Sequence, residues 1–337
     1  MSKRFWLSLF LFAGIIAGPA MAQSLVLIDP ASISDGNVYL MENVSTDVPD
    51  ESANSNNGNL VDSPETVAGL NGDALQFDGV DDGVHLPDAA TINTSTHTNH
   101  TVIAVFNCAD VAKTEKQVVY EEGGTTRGLT IYVHEGLAYA GGWNLSDYTP
   151  EWTGTHISAP IGSGEWHVVA AVLRDGTAAQ EDDKFEMWLD GELIGKGPGG
   201  QLNGRSDDNG IGSAQAQTKF HDGNATGGGN YFQGMIDEVW ILNQALTEDD
   251  LAALSMGPRP FASGPSPRKD SMVDATTNLL SWREGDFAVS HDLYIGTNAE
   301  DVEAATPESD LFQGSLATTQ FLATDLTAGQ TYYWRVD

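Results

Sequence analysis

The chain of 337 residues carries 48 acidic side chains against 15 lysines and arginines, a formal charge of −33. At ~150 residues per domain the length predicts about two domains, and the 37 glycines exceed the usual ~7% of a globular chain. With 19% of residues charged and 9% aromatic, the chain is too apolar for a disordered polyanion and too rich in turn formers for a helical bundle. So large an excess of negative charge repels phosphate backbones and argues against nucleic-acid partners. Cys108 is the one cysteine, which excludes an intramolecular disulfide framework and a cysteine-based zinc site.

Lys3 and Arg4 precede an apolar run from Phe5 to Ala17; Gly18-Pro19 breaks it and Ala20-Met21-Ala22 follows. A basic start, an apolar middle and an A-x-A end predict a secretory signal peptide over residues 1–22, cleaved before Gln23. At about 1.5 Å per residue the run covers about 20 Å, short of a ~30 Å hydrocarbon core, so it is not expected to span a membrane. No later stretch is long and apolar enough to span. A secreted or cell-surface location follows as the expectation. Cys108 ends the apolar run Thr101–Cys108 and is expected to be a buried strand residue.

Strand signals then dominate. Period-two or short apolar runs occur at Val38–Glu42, Ala74–Phe77, Val84–Leu86, Val102–Phe106, Val118–Tyr120, Leu129–Val133 and Leu137–Ala140. They continue at Trp166–Leu173, Phe185–Leu189, Leu193–Gly195 and Phe232–Leu242. Gly, Asn, Asp or Pro fills nearly every gap, the punctuation of an antiparallel sandwich. Asp190-Gly191 offers the two positive-φ positions of a type I′ turn and predicts a hairpin. A single short helix is expected after Thr247, with Thr247 and Asp250 as a cap and Leu251 and Leu254 on one face.

Pro258, Pro260, Pro265 and Pro267, interspersed with Gly257 and Gly264, predict a linker over residues 256–270 between a first domain, 23–255, and a second, 271–337. The second block is another strand series: Leu279–Trp282, Asp292–Ile295, Gln320–Leu322 and Tyr332–Val336. It halts inside an apolar strand, short of the ~100 residues of an immunoglobulin-type sandwich, so the sequence is expected to be truncated there. The predicted class is all-β: an antiparallel jelly-roll sandwich followed by a second, incomplete immunoglobulin-like sandwich.

Three motifs stand in a telling order: Asp50–Gly58, then Gly72–Val84 with Phe77-Asp78-Gly79 and Asp82, then Phe232–Ile241 with Ile236-Asp237-Glu238-Val239 ahead of the capped helix. The succession resembles the laminin-G-like jelly roll of the concanavalin A-like lectin and glucanase superfamily, over about Leu25 to Leu254. Ser52-Ala53 stands where such segments usually have Ser-Gly. Leu326, Gly329 and Tyr332 keep the spacing of the tyrosine corner of fibronectin type III domains, which the second block resembles without its final strand.

Strand alternation is expected to put Asp237 and Glu238 on opposite faces, so that one points inward or to a sheet edge and needs a partner. In a chain with 15 basic residues a cation is one answer, and the resemblance implies structural calcium. Asp237, Asp50, Asn57 and Glu42 are the expected oxygen ligands. The other reading leaves these acids in solvated turns, and Phe77-Asp78-Gly79 reads chiefly as a turn.

Ligand contacts are expected elsewhere. Trp143, Tyr148 and Trp152 place three rings in a polar, turn-rich stretch, and rings exposed on loops stack on sugar C–H surfaces. The alternative is that Trp143 and Trp152 merely cover the sandwich edge. A second polar loop carries His221, Asp222, Asn224, Asn230 and Tyr231.

Signals for catalysis are weak. Glu186, Asp190 and Glu192 straddle a hairpin turn and cannot converge as a glycosidase pair. Gly195-Lys-Gly197-Pro-Gly-Gly200 has phosphate-loop letters, but no helix follows it. The expectation is a secreted, non-catalytic binding or adhesion module for carbohydrate or another extracellular polymer, with a fibronectin-like spacer. Its rivals are the targeting part of a polysaccharide-degrading enzyme whose catalytic domain lies beyond residue 337, and a structural adhesin for a cell-surface protein.

Overall fold

The computed structural model describes residues 29–145, 151–254, 262–267, 276–283 and 288–337. The predicted signal peptide and most of the predicted linker lie outside these residues. In chain order the strands begin with β1 (Gly36–Tyr39), β2 (Asp47–Val48), β3 (Gly58–Val61), β4 (Glu65–Ala68), β5 (Asp73–Asp78) and β6 (Gly83–Leu86). Longer strands follow: β7 (His100–Cys108), β8 (Gln117–Gly123), β9 (Arg127–His134), β10 (Leu137–Asn144), β11 (Trp152–Pro160) and β12 (Trp166–Leu173). β13 (Glu181–Leu189), β14 (Glu192–Gly199), β15 (Asn209–Ile211), β16 (Gln217–Phe220), β17 (Gly223–Thr226) and β18 (Gln233–Leu242) complete the first unit.

They build two eight-stranded antiparallel sheets. The first runs β14-β13-β12-β7-β18-β5-β4, with β1 also paired to β18; the second runs β11-β10-β9-β8-β15-β6-β3-β2. The tight turns follow from residue choice. Asp190 and Gly191 have φ of 50° and 81°, and Glu135 and Gly136 have 48° and 84°, so both hairpins are closed by the two positive-φ residues that match strand twist.

Alternate residues of both sheets fill the space between them. Phe77, Phe106 and Phe232 meet edge to face there, beside Leu75, Val102, Ile131, Trp152, Phe185 and Ile241. Burying such side chains at ~25 cal/mol per Å² of apolar surface is the main force holding the sheets together. Cys108 is buried in this layer and its thiol is pushed up to about 11 by desolvation, as expected of a packing residue.

A smaller apolar layer covers the outer face of the first sheet, where Leu251 and Leu254 meet Trp188, Trp240 and Val168. Helix α1 (Glu248–Ala252) supplies Leu251, and its capping box forms as predicted, with the Thr247 side chain accepting from Asp250 N and Asp250 returning the bond. Among the described residues no helix is long and apolar enough to cross a membrane.

The second unit contains β19 (Ser263–Ser266), β20 (Asn278–Arg283), β21 (His291–Gly296), α2 (Ala299–Ala304), β22 (Phe312–Leu316), β23 (Gln320–Ala323) and β24 (Tyr333–Val336). These form two three-stranded antiparallel sheets, β19-β20-β23 and β22-β21-β24, around Leu280, Leu293 and Ala323. The Tyr332 hydroxyl accepts from Thr327 N at 3.0 Å, the bond back to the preceding loop that the tyrosine-corner spacing predicts.

Candidate functional site

β9 and β10 alternate strictly. Leu129, Ile131, Val133, Ala138 and Ala140 enter the core, so Tyr132 and Tyr139 face outward. The two-residue turn between these strands pairs Tyr132 directly with Tyr139, and their rings stack at 4.7 Å with planes 4° apart. β16 and β17 form a separate hairpin over this face and place His221 at its tip. The His221 ring stacks on Tyr139 at 4.5 Å and lies within 8° of parallel to Tyr132. Three parallel rings therefore make one ledge, half-buried at Tyr139 and exposed at His221.

Tyr132 Oη fixes the hairpin tip: it accepts from His221 N at 3.1 Å and lies 2.8 Å from His221 Nδ1. Burial raises both tyrosines above the ordinary phenol range and lowers His221 below the ordinary imidazole value, so the ledge is neutral at pH 7. Next to the ledge is a cavity of ≈ 410 Å³ lined by residues that include Lys116, Phe220, Asp222 and Asn230. Lys116 Nζ bonds Asp222 Oδ2 at 2.9 Å and sits 5.3 Å above the centre of the Phe220 ring. The bond from Lys116 holds Asp222 below the usual carboxylate range. Ring faces beside a charged donor, a carboxylate and an amide suit a ligand with both apolar C–H faces and hydroxyl groups.

Of the residues expected at a ligand site, His221, Asp222 and Asn230 meet here. Asn224 belongs to β17, and Tyr231 is half-buried outside the described lining of the cavity. Tyr148 lies outside the described residues. The expectation of exposed rings at Trp143 and Trp152 is corrected, since both are fully buried. β10 runs on to Asn144 and β11 starts at Trp152, so both rings sit in strands rather than on a loop. Trp152 packs on Phe185 in the core, while Trp143, on the outer face, donates Nε1 to Gly124 O at 2.8 Å and stacks on His156.

The acidic candidates divide into two groups. Asp50 Oδ1 accepts from Val38 N and Ser52 N, and its Oδ2 from Asn37 Nδ2 and Asn56 N. Asn57 Oδ1 accepts from Asp50 N. With these donors in place Asp50 and Asn57 do not fit a cation's ligand set, and they brace their own loop instead. Asp237, Glu238 and Glu42 gather round the turn before β5. Asp237 Oδ2 accepts from Leu70 N and Asn71 N, Glu238 Oε1 from Asn71 Nδ2, and Glu42 Oε1 from Asp73 N.

The predicted opposite facing of Asp237 and Glu238 is overturned by a bulge between Ile236 and Glu238, which turns both outward. Asp237 Oδ1 is buried without a hydrogen-bond partner, which leaves it the one buried oxygen of this group open to a further donor or a cation. Asp78, Asp81 and Asp82 also converge, but Asp78 and Asp82 accept from amides of their own turn, as the turn reading expects.

Residues 78–252, just over half of the chain, match the family model Laminin_G_3, described as the concanavalin A-like lectin/glucanases superfamily. The chain belongs to this superfamily. No curated protein matches the concanavalin A-like chain. Among solved structures it is similar to domain 4 of an extracellular arabinanase from Geobacillus stearothermophilus, in complex with arabinotriose. The identity is 16%, the match covers 58% of this chain and 82% of that one, and the TM-score is 0.40. It is also similar to a Ruminococcus gnavus sialidase CBM40 bound to α2,3-sialyllactose, at 17% identity over 54% and 96% of the two chains, with a TM-score of 0.38. The botulinum neurotoxin serotype G binding domain matches at 8% identity over 89% and 81%, with a TM-score of 0.48.

The most ordered part of the site on this concanavalin A-like fold, the Tyr132–Tyr139 pair, is absent from the sequence expectations. The signal for it was present. Glu135-Gly136 reads as a two-residue turn, and counting back from it pairs Tyr132 with Tyr139 on one face. Lys116 gave no such signal, and neither did the contact of His221 with Tyr132, because 89 residues separate the two.

Proposed function

We propose that the chain is a non-catalytic binding module of an extracellular protein that recognises carbohydrate or another extracellular polymer. The observation that carries this reading is the parallel ledge of Tyr132, Tyr139 and His221 beside the polar cavity of Lys116, Asp222 and Asn230. Stacking on ring faces adds about 0.5–1.5 kcal/mol beyond area burial, and polar groups beside it select hydroxyl positions. The second unit acts as a spacer of the fibronectin type III kind, a reading supported by the Tyr332 corner bond. Calcium at Asp237 and Glu42 would brace the turn before β5, on the first sheet and away from the ledge.

A glycan array probed with the full chain tests the binding reading. Retention by at least one glycan class is expected, together with its loss in a Tyr139→Ala, His221→Ala variant whose thermal transition is intact. Silence on every glycan, with capture by a purified surface protein instead, would replace carbohydrate with protein as the partner.

A further inference from the structure

The outer face of the second sheet continues beyond the ledge. One register row carries Glu121, Thr130, Gly141 and His156 across β8, β9, β10 and β11; the row before it carries Val118, Tyr132, Tyr139 and Ser158. Trp143 stands on the same face, opposite Gly128. This face is polar and aromatic where a face buried for stability alone would be aliphatic. Glu121 is its most costly member. Its carboxyl is completely buried; Oε1 accepts from Gln215 N at 3.2 Å and Oε2 has no hydrogen-bond partner. A buried carboxyl with half its bonding capacity unused destabilises the fold unless it serves something else.

What lies over this face is the β16–β17 hairpin. Its strands pair only with each other, so no backbone ladder ties them to the sheet. Thr218, fully buried on β16, also has an unpartnered hydroxyl. The cover is held by Phe220 against Tyr132 and Val118, by Lys219 Nζ on Thr153 O, and by the His221 tip. Its base narrows to an isolated bridge between Ala214 and Gly229. Gly227-Gly228-Gly229 flanks that bridge, with φ of 86° at Gly227 and 125° at Gly229, positions at which only glycine turns freely. An orphaned carboxylate oxygen beneath the cover and an orphaned hydroxyl on the cover itself, which is hinged on three glycines, describe a site that is closed.

We propose that the β16–β17 hairpin is a cover over a glycan-binding groove, and that lifting it on the Ala214–Gly229 hinge exposes Glu121, Thr130, His156 and Trp143 to a sugar chain that first docks on the whole ledge and is then held by Tyr139, the part of the ledge that stays on the sheet. The inference rests on the carbohydrate reading and extends it from one ledge to a groove several sugar units long. Glu121 Oε2 meets a sugar hydroxyl, and the Trp143 face takes a pyranose ring. The occupant is a linear, hydroxyl-rich oligosaccharide, which satisfies the carboxylate oxygen that the closed state leaves unpaired.

The test uses the full chain and a Lys219→Ala variant, which releases the hold on Thr153 O and keeps His221 and Asp222 in place, titrated with laminarin, arabinan, xylan and alginate oligosaccharides. Loosening the cover is expected to tighten binding of the recognised polymer several-fold, and adding Glu121→Gln to abolish that gain. In the intact chain, amides of β16 and β17 are expected to exchange faster with deuterium once the sugar is bound. That measurement decides the matter even where the loosened variant fails to fold. Binding to the intact chain that depends on Tyr139 and His221, with no gain on loosening and no change in hairpin exchange, overturns the cover and leaves the ledge standing. Absence of binding to both proteins overturns the cover and the carbohydrate reading together.

Discussion

Tyr132 Oη lies 2.8 Å from His221 Nδ1 and accepts the His221 backbone amide at 3.1 Å, so one hydroxyl anchors the tip of the hairpin over the second sheet. Because the hydroxyl accepts from the amide, its own proton is free for Nδ1, which sets the imidazole as the neutral tautomer with hydrogen on Nε2. Tyr132→Phe removes both bonds while keeping the ring stack on Tyr139. The expected cost is about 1 kcal/mol in global stability, as for a typical hydrogen bond. A rise in the His221 pKa is expected alongside it, followed by NMR titration. An unchanged titration would show that the hydroxyl does not hold the tip.

Trp143→Ala and Trp152→Ala are expected to act on stability before they act on binding. Both rings are fully buried, and truncating a buried tryptophan costs about 3–5 kcal/mol. Denaturant midpoints should fall in both variants. Trp152→Ala is expected to be the more damaging, since its ring packs on Phe185 between the sheets while Trp143 lies on the outer face. Binding lost at full stability in Trp152→Ala would put that ring back in contact with ligand.

The tryptophans mark the limit of what the sequence makes legible. Periodicity and turn residues are local properties, and they gave the runs Trp166–Leu173 and Phe232–Leu242, the Asp190-Gly191 hairpin and the Thr247 cap nearly as they fold. Three aromatics in a polar stretch look like a loop, yet Trp143 ends one strand and Trp152 begins the next. Asp237 and Glu238 were misplaced for a different reason. A bulge adds one residue against its partner strand, and alternation counted along a single strand cannot register it. The ledge depends on a contact between β9 and a hairpin far along the chain, so only His221, Asp222 and Asn230 were legible, as members of a polar loop.

Glu122 shows how the sandwich closes at one end. It is fully buried on β8, ion-paired to Arg205 and 3.3 Å from His100 Nε2, and it accepts the Tyr120 hydroxyl at 2.8 Å. Burial alone would raise its carboxyl, but Arg205 and His100 outweigh that and hold it at about 2. Its contribution to stability is therefore present above the ordinary 4.5 and lost as pH falls towards 2. Arg205→Ala leaves the carboxylate buried without its guanidinium partner, a loss of about 3–5 kcal/mol, whereas adding Glu122→Gln should recover much of it. Urea denaturation of the single and double variants measures both steps, and equal stability of the two would show that the buried charge is not the cause.

Asp237 has the opposite sign. Desolvation raises its carboxyl from 3.8 to about 7, with further pushes from Glu238 and Glu42, against the two backbone amides that favour its charged form. The folded chain thus holds a proton at Asp237 more tightly than the unfolded chain does. That stabilisation is complete below pH 3.8 and is lost as pH rises through about 7. In chelator, the melting temperature should decline between pH 5 and pH 8, beyond the decline of an Asp237→Asn variant. That variant keeps an oxygen for Leu70 N and Asn71 N and carries no charge. Added calcium should restore the parent chain at pH 8, because a cation satisfies the unpartnered Oδ1, and should leave Asp237→Asn unmoved. Restoration of both proteins would place the ion elsewhere. A parent chain whose melting temperature ignores calcium at pH 8 would leave proton binding as the only means of compensating this carboxyl.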